Sequence, residues 1–400
     1  MPVLTIVFLV LLGGVGVLWL SRHLMLNSEI RENNTLNNDH PGPGENPPMI
    51  SVLIAAKDEE EVIDACVRTM LDQDYPNYEV ILCNDRSDDR TAEIVAKIAE
   101  ENERLTLVNI TDLPDGWFGK PNAMQTGIKL AKGEYIVMID ADCTQTSRRT
   151  LSTAMKYAQD HNSDMLSVYP DLEMKGFWEN VIQPMCTAIM VIWFKPSRIN
   201  SPKWKTTAYA NGAFMMIRKE TYDAIGTHEA VKTELNEDMK MAYLVKTGGH
   251  RLRVVRGDGL YKVRMYTTFK QMIRGWSRIF FGTFGTPARL FATLGVVLIV
   301  SLMPWVLTVL GLGLGLSGIW TGGTLVGAVA AGVATLQMSV ICRYYNLIGA
   351  KVSMFWTYPM SCAISVWCLL ISISKLRPGA KVVWKSTAYA QPTDNAPAAS

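Results

Sequence analysis

Apolar positions in this chain fall into two kinds of run, and their order outlines the protein. At both ends the runs are long and uncharged. Val3 to Leu20 is apolar throughout, and beyond Phe291 the stretches near Gly295–Leu316, Leu325–Ile341 and Trp356–Ser374 are equally so. At about 1.5 Å per residue, helices of this length reach across a bilayer core. In the middle the runs are short and alternate with amphipathic stretches. Ile50–Ala56, Tyr78–Cys83 and Leu105–Ile110 read as strands, and the run from Tyr135 to Asp140 reads as a buried strand. Between them the spacing predicts helices. The first opens at Lys57–Glu61 with an apolar face of Val62, Ile63, Cys66, Met70 and Leu71. The second covers Thr91 to Glu103, and the third runs from Lys120 to Lys132, with Pro121 in its first turn and Gly133 ending it. Repeated β-α-β units imply an α/β fold with a largely parallel sheet covered by helices.

The expected organisation follows. Residues 1–26 are an N-terminal membrane anchor. Residues 27–48, rich in Asn, Pro, Gly and Glu, are a mobile linker. Residues 49–265 are the α/β domain, within which Gly176–Pro196 is an interfacial or buried helix, Asn211–Ile217 a strand entered through a tight turn, and Met239–Lys246 a helix. Residues 266–290 are a basic, aromatic, amphipathic segment, 291–376 hold about three transmembrane helices, and 377–400 are a disordered tail. No Lys or Arg precedes Val3, whereas Arg22 and His23 follow the apolar run. A cleaved secretory signal has the reverse polarity. The segment therefore reads as an uncleaved anchor that leads the chain into the cytoplasm, in a multi-pass protein of the inner (plasma) membrane. By parity the C-terminus lies outside; Lys375, Arg377, Lys381 and Lys385 argue for inside.

Composition narrows the function classes. With 39 basic and 37 acidic residues, bulk charge implies no nucleic-acid partner. The seven cysteines are scattered without a Cys-x-x-Cys pair and read as reduced, mostly buried thiols, consistent with a cytosolic face. The histidines lack metal-ligand spacing, and His228 and His250 read as loop or surface residues.

The candidate chemistry sits at strand ends. Asp140 and Asp142 are i and i+2 of an extended chain, so both carboxylates can converge at the carboxyl edge of a strand. Ligands bind at that edge in open α/β sheets. Two hard oxygen ligands suit Mg²⁺ or Mn²⁺ completed by phosphate oxygens and water. Asp58 with Glu59, and Asp85, also end strands, and such carboxylates can accept from a nucleobase N–H or ribose hydroxyls. No Gly-x-Gly-x-x-Gly and no Gly-x-x-x-x-Gly-Lys-Ser/Thr occurs, which weakens dinucleotide and P-loop readings. Lys120 places positive charge at a helix N-terminus, a conflict that an anion would resolve. Asp238 stands where it could simply cap the next helix. Arg274 and Arg278, at i and i+4, share a helix face suited to anionic lipid.

Taken in order, Ala55-Ala56-Lys57-Asp58-Glu59-Glu60, Asn84-Asp85-Arg86-Ser87-Asp88-Asp89, Gly119-Lys120-Pro121-Asn122-Ala123, Asp140-Ala141-Asp142, Asn211-Gly212, Glu237-Asp238 and Gln271-x-x-Arg274-Gly275-Trp276 resemble the family 2 glycosyltransferases of GT-A fold, particularly membrane-anchored bacterial members. The resemblance covers about Ile50 to Gly285. It implies a nucleotide-sugar pocket formed by Ala55, Asp58, Glu59, Asp85, Lys120 and Asp140, and a Mg²⁺ or Mn²⁺ ion on Asp142 and Asp140. It makes Asp238 the general base, adds Arg274 and Trp276 to the catalytic set, and puts Asn211, Gly212 and Glu237 on the acceptor side. The implied reaction is inverting, metal-dependent sugar transfer from a nucleotide-diphosphate sugar, by family default a UDP-sugar, to a hydroxyl of a membrane lipid. The flanks and Ala208–Met216 look closest to hopanoid-associated or ceramide-type lipid glycosyltransferases. Gly275 departs from the family's Gln-x-x-Arg-Trp pattern, which is typical of processive synthases. A processive polysaccharide synthase and a catalytically inactive membrane scaffold remain as alternatives. The sugar, the lipid and the oligomeric state are not specified by any motif.

Overall fold

The computed structural model describes residues 3–31, 35–284, 286–377, 381–384 and 387–390. Its first part gives α1 (Val3–Arg31), β1 (Thr35–Asn37), β2 (Ile50–Ala56), α2 (Ile63–Leu71), β3 (Tyr78–Asp85), α3 (Thr91–Glu101), β4 (Leu105–Ile110), α4 (Gly119–Ile128) and β5 (Tyr135–Asp140). There follow β6 (Cys143–Gln145), α5 (Thr150–Asp160), β7 (Met165–Tyr169), β8 (Asp171–Leu172), α6 (Phe177–Trp193), α7 (Pro196–Ile199), β9 (Met215–Arg218), α8 (Lys219–Ala224) and α9 (Glu237–Thr247). The remainder forms β10 (Leu252–Asp258), β11 (Tyr261–Val263), α10 (Phe269–Phe284), α11 (Pro287–Val296), α12 (Met303–Leu316), α13 (Gly323–Leu347), α14 (Tyr358–Ser374), β12 (Lys381–Trp384) and β13 (Thr387–Ala390). The chain divides into an α/β unit (residues 34–173, 193–265 and 381–400) and a helical unit (1–33, 174–192 and 266–380).

The α/β unit is built on an eight-stranded sheet of order β1-β10-β7-β9-β5-β2-β3-β4. Only β9 runs antiparallel to its neighbours, β5 and β7. The central strands show no polar alternation because helices cover both faces. On one face Val52, Ile54, Val80, Leu82 and Ile139 pack with Ile63, Met70, Val95 and Leu151. On the other, Leu53, Ile81, Ile136 and Met138 pack with Met124, Ile128, Met241 and Val245.

Four local expectations are corrected here. Lys57–Val62 is not the first turn of a helix; the helix starts at Ile63. The N–H groups of Asp58, Glu59 and Glu60 donate instead to Ser87 Oγ, Thr91 Oγ1 and Asp89 Oδ2, at 3.0, 2.8 and 3.0 Å. Gly133 does not end α4, which stops at Ile128. A Cβ at Gly133 would lie 2.5 Å from the Ser51 nitrogen, so close backbone approach is what demands glycine there. Part of the stretch expected as a mobile linker is β1, parallel to β10. Leu36 anchors it and is fully buried, and Arg149 donates to the Asn38 and His40 carbonyls. His228 is not a surface residue: it is fully buried, with the Tyr222 hydroxyl 2.6 Å from its Nδ1. Burial lowers His228 to about 3, so it is neutral.

In the helical unit, Val3–Asn27, Pro287–Leu316, Gly323–Leu347 and Val352–Ser374 are long and apolar enough to cross a membrane. α12 and α13 meet through glycines. A Cβ at Gly311 would lie 2.7 Å from the Gly327 nitrogen, and one at Gly327 would lie 2.5 Å from the Leu312 nitrogen. Small residues four apart on both helices allow this approach. Pro304 supplies no N–H to the Val300 carbonyl one turn back. That carbonyl accepts instead from Trp19 Nε1 at 2.8 Å and Gln337 Nε2 at 2.7 Å, which satisfies a polar group in an apolar setting. α6, which carries Pro184 in its interior, packs with α10 and α14 through Trp276–Gln183 (3.0 Å) and Cys186–Ser365 (3.7 Å), and Ser372 bonds the Ser277 carbonyl at 2.8 Å. All seven cysteines are free thiols and six are buried. In the tail, β12 and β13 pair antiparallel where no structure was expected; residues 378–380, 385–386 and 391–400 of that expectation lie outside the described residues.

Candidate active site

The sheet order creates the site. The chain proceeds outward from β2 to β3 and β4, then returns to place β5 on the other side of β2. Loops leaving β2 and β5 therefore diverge at their carboxyl ends, opening the crevice of a topological switch point. Ala55 is in register with Asp140 across the β2–β5 pair and with Cys83 across the β2–β3 pair. Asp140 closes β5 and Asp142 follows after one small residue. Burial, then repulsion from Asp140 and Glu59, pushes the Asp142 carboxyl up to about 7.

Lys120 is the electrostatic centre. Its Nζ lies 2.6 Å from Asp140 Oδ1 and 2.7 Å from Glu237 Oε1. The anion expected to resolve its conflict with the α4 dipole is thus supplied by the protein. Burial would lower the Lys120 pKa, but Asp140, Glu237 and Asp238 together hold it well above the usual lysine range. Asp238, in the first turn of α9, turns one oxygen to the Gly212 N–H at 3.0 Å and the other to the Met239 N–H at 2.7 Å. Burial, then the Glu237 charge, raises its carboxyl to about 7, against the lowering effect of Lys120. A Cβ at Gly212 would lie 3.1 Å from Lys120 Nζ, 3.3 Å from Asp238 Oδ2 and 3.5 Å from Asp140 Oδ2. Asp140, Lys120, Gly212, Glu237 and Asp238 therefore share one small volume. Asn211 fixes the turn that brings Gly212 there: its N–H donates to Ser167 Oγ at 2.8 Å and its Oδ1 accepts from the Ala213 N–H at 2.9 Å.

On the other side of the crevice two loops are laced together. Asp58 Oδ1 accepts from the Asp88 N–H at 2.9 Å and Asp89 Oδ1 from the Thr91 N–H at 2.9 Å. Asp58 and Arg86 hold left-handed backbones, with φ of 52° and 54°. Such conformations in non-glycine residues are costly and concentrate at functional sites. Asp85 is buried and its carboxylate receives Arg86 through two bonds, at 2.8 and 3.0 Å. Buried Lys57 donates to the Arg86 carbonyl at 2.6 Å. Lys57, Arg86 and Ser167 were not singled out in the sequence. Lys57 and Arg86 stood inside quoted motifs without an assigned role and Ser167 carried no mark; Lys57 meets the Arg86 carbonyl, and Ser167 the Asn211 N–H, only across long stretches of chain.

Arg274 and Trp276 belong to the helical unit, on α10. Arg274 is exposed; Trp276 is 3% exposed and its indole N–H is engaged by Gln183. The glycine that interrupts the motif has a steric reason, since a Cβ on Gly275 would lie 2.1 Å from the Tyr266 ring. Among the described residues, no group of three or more His, Cys, Asp or Glu side chains is arranged to hold a metal by itself.

Residues 51–226 match the family model for glycosyl transferase family 2. The 4,4'-diaponeurosporenoate glycosyltransferase of Staphylococcus aureus (strain USA300) is 26% identical over 249 residues, covering 61% of this chain and 62% of that protein. The chain thus spans less than two thirds of the length of the curated relatives it matches. Among solved structures, a mannosyltransferase from Pyrobaculum calidifontis in complex with GDP-Man and Mn²⁺ aligns with a TM-score of 0.49 and 16% identity, covering 91% of this chain and 98% of that one. S. aureus TarS in complex with UDP-GlcNAc aligns with a TM-score of 0.42 and 18% identity, covering 86% and 96%. The mostly parallel sheet with its acid-lined switch point is the α/β arrangement expected from the sequence, and the stretch that matches the family 2 glycosyl transferase model, residues 51–226, runs through the strands that carry it.

Proposed function

We propose that the protein transfers a sugar from a nucleotide-diphosphate sugar to a hydroxyl of a membrane lipid, with inversion at the anomeric carbon. The observation that carries this reading is the shared volume around Gly212, where the carboxylates of Asp140 and Asp238 converge beside Lys120. The nucleoside, a uridine in this reading, is assigned to the laced loops around Ala55, Asp58, Glu59 and Asp85. Asp238 accepts the proton of the acceptor hydroxyl; a carboxyl raised to about 7 is matched to that task. The acceptor oxygen then bonds to the anomeric carbon as the bond to the diphosphate oxygen breaks. The nucleoside diphosphate leaves with the electron pair. Lys120, held between Asp140 and Glu237, keeps a fixed positive charge beside the reacting groups. Glu237 orients Lys120, while Asn211 and Gly212 hold Asp238 in place. Arg274 and Trp276 are retained as proposed contributors from α10.

The donor set fits a divalent cation. Asp140 and Asp142 are hard oxygen ligands whose mutual repulsion helps raise the Asp142 carboxyl, and a cation relieves that repulsion. Two carboxylates are enough when phosphate oxygens complete the shell, which is how Mg²⁺ and Mn²⁺ are commonly bound. When bound, such an ion would neutralise charge developing on the departing diphosphate. A lipid acceptor is supported by the four long apolar helices and by the relative that acts on 4,4'-diaponeurosporenoate. An inner-membrane, multi-pass protein with a cytoplasmic catalytic domain is the corresponding location.

The test uses purified protein in detergent, bacterial lipid extract, Mg²⁺ or Mn²⁺, and a panel of radiolabelled nucleotide sugars. Label entering the organic phase with fixed mobility, and lost with EDTA, is the expected outcome. Label found only in a high-mass aqueous polymer would replace this reading with a processive synthase. No transfer from any donor by folded protein would leave a scaffold.

A further inference from the structure

Beside the Gly212 cluster, three aromatic rings form a continuous wall. Tyr169 ends β7, and its ring centroid lies 5.5 Å from that of Tyr209, which lies 5.3 Å from Phe194. All three are half-buried and rest on the core beneath the sheet. Two links fix the wall to the reacting groups. Ser167, two residues before Tyr169 on the same face of β7, binds the Asn211 N–H at 2.8 Å. Asn211, two residues after Tyr209, leads into Gly212, whose N–H meets Asp238 Oδ2 at 3.0 Å. The sheet order separates this wall from the laced loops. Those loops leave β2 and β3, whereas β7 lies beyond β5 and β9 on the opposite side of Asp140. Burial and the nearby Asp238 charge raise the Tyr209 phenol, so its hydroxyl stays protonated and able to donate.

We infer that Tyr169, Tyr209 and Phe194 form the acceptor subsite, seating the apolar segment of the acceptor that immediately flanks its nucleophilic oxygen. This rests on the proposed transfer to a lipid. Aromatic faces offer broad apolar contact with little rotameric freedom to lose, and a tyrosine hydroxyl can meet the polar end of an amphiphile. The wall thus holds the boundary between the acceptor's apolar part and its hydroxyl at the base, on the side away from the donor.

The test compares wild type with Tyr209→Leu, Tyr169→Leu and Tyr209→Phe in detergent. Nucleotide-sugar binding is measured by calorimetry, and transfer is followed against the concentration of lipid extract. The two leucine variants should raise the apparent acceptor KM at least tenfold, with donor Kd and melting temperature close to wild type. Tyr209→Phe, which keeps the ring, should stay within about threefold. An unchanged acceptor KM in both leucine variants overturns the subsite. So does a donor Kd that weakens in parallel, which would make the wall a support of the donor pocket. If either leucine variant melts early, Tyr209→Trp, which keeps aromatic area, should restore the acceptor KM; failure to do so in folded protein also overturns it. Wild type that binds no nucleotide sugar overturns the proposed function itself. Wild type that binds donor yet labels no lipid overturns the lipid acceptor and this subsite together.

Discussion

At the scale of single residues, Asp238 and Asp142 share a cause and differ in consequence. Both are carboxyls raised to about 7, chiefly by burial and then by neighbouring carboxylates. For Asp238 this sets a pH dependence. A base must be deprotonated to act, so kcat/KM for transfer should rise with pH and level off above about 7. Asp238→Asn, which keeps the acceptor for the Gly212 N–H, should cost about 10²–10⁴-fold in rate with donor affinity nearly unchanged. Loss of donor affinity instead would move Asp238 to the donor side. Asp142→Ala should remove the divalent-dependent part of donor binding, measured by titration with and without EDTA. Stability carries a second expectation. Between the ordinary carboxylate range and about 7 the folded protein binds more protons than the unfolded chain, so stability falls as pH rises through that window. Without divalent cations, melting temperature should decline from about pH 4 to pH 7, and Asp142→Asn should flatten the slope. An unchanged slope would show that Asp142 is not the group responsible.

Among secondary-structure elements, α4, α9 and α10 are shaped by what their ends and faces must meet. α4 begins with glycine and lysine where an acid would suit the dipole. The conflict is met by carboxylates from β5 and α9, which ties three elements to one ammonium group. Lys120→Met should therefore loosen that junction as well as the reaction. On α10, Gly275 lies under the Tyr266 ring. Gly275→Ala should destabilise the protein by about 1–3 kcal/mol through overpacking. Tyr266→Ala in the same chain should restore most of the loss, read as a shift in melting temperature in detergent. If the double variant is no more stable than Gly275→Ala alone, the Tyr266 contact is not the reason for glycine.

For the molecule as a whole, four helices are long and apolar enough to span a bilayer, and they flank the α/β unit in sequence. The protein should remain with membranes through an alkaline carbonate wash and require detergent for release. Recovery of the folded protein in the wash supernatant would show that these helices do not hold it in the bilayer.

Much of this was legible in the chain. The positions of β2, β3 and β5 follow from short apolar runs, because a strand buried on both faces needs apolar side chains at every position, whereas β7 and β10 were not read from the sequence. The long apolar helices follow from length and lack of charge alone. The acids at strand ends, Asp58, Asp85, Asp140 and Asp142, announce a site because carboxylates at the carboxyl edge of a parallel sheet have few structural reasons to gather. What the sequence did not contain is which distant groups meet. That Lys120 is clasped by Asp140 and Glu237, that Lys57 reaches the Arg86 carbonyl, and that Gly212 lies against Lys120 and Asp238 depend on pairing between far parts of the chain. Lys57–Val62 reads as a helical turn locally, but its N–H groups find partners in the loop after β3. Leu36 lies in a polar stretch, yet a single buried leucine and a parallel partner make a strand of it. Local patterns set each element because periodicity decides which face is buried. Side-chain pairing and the raised carboxyls arise only when the sheet order brings distant charges into one desolvated crevice.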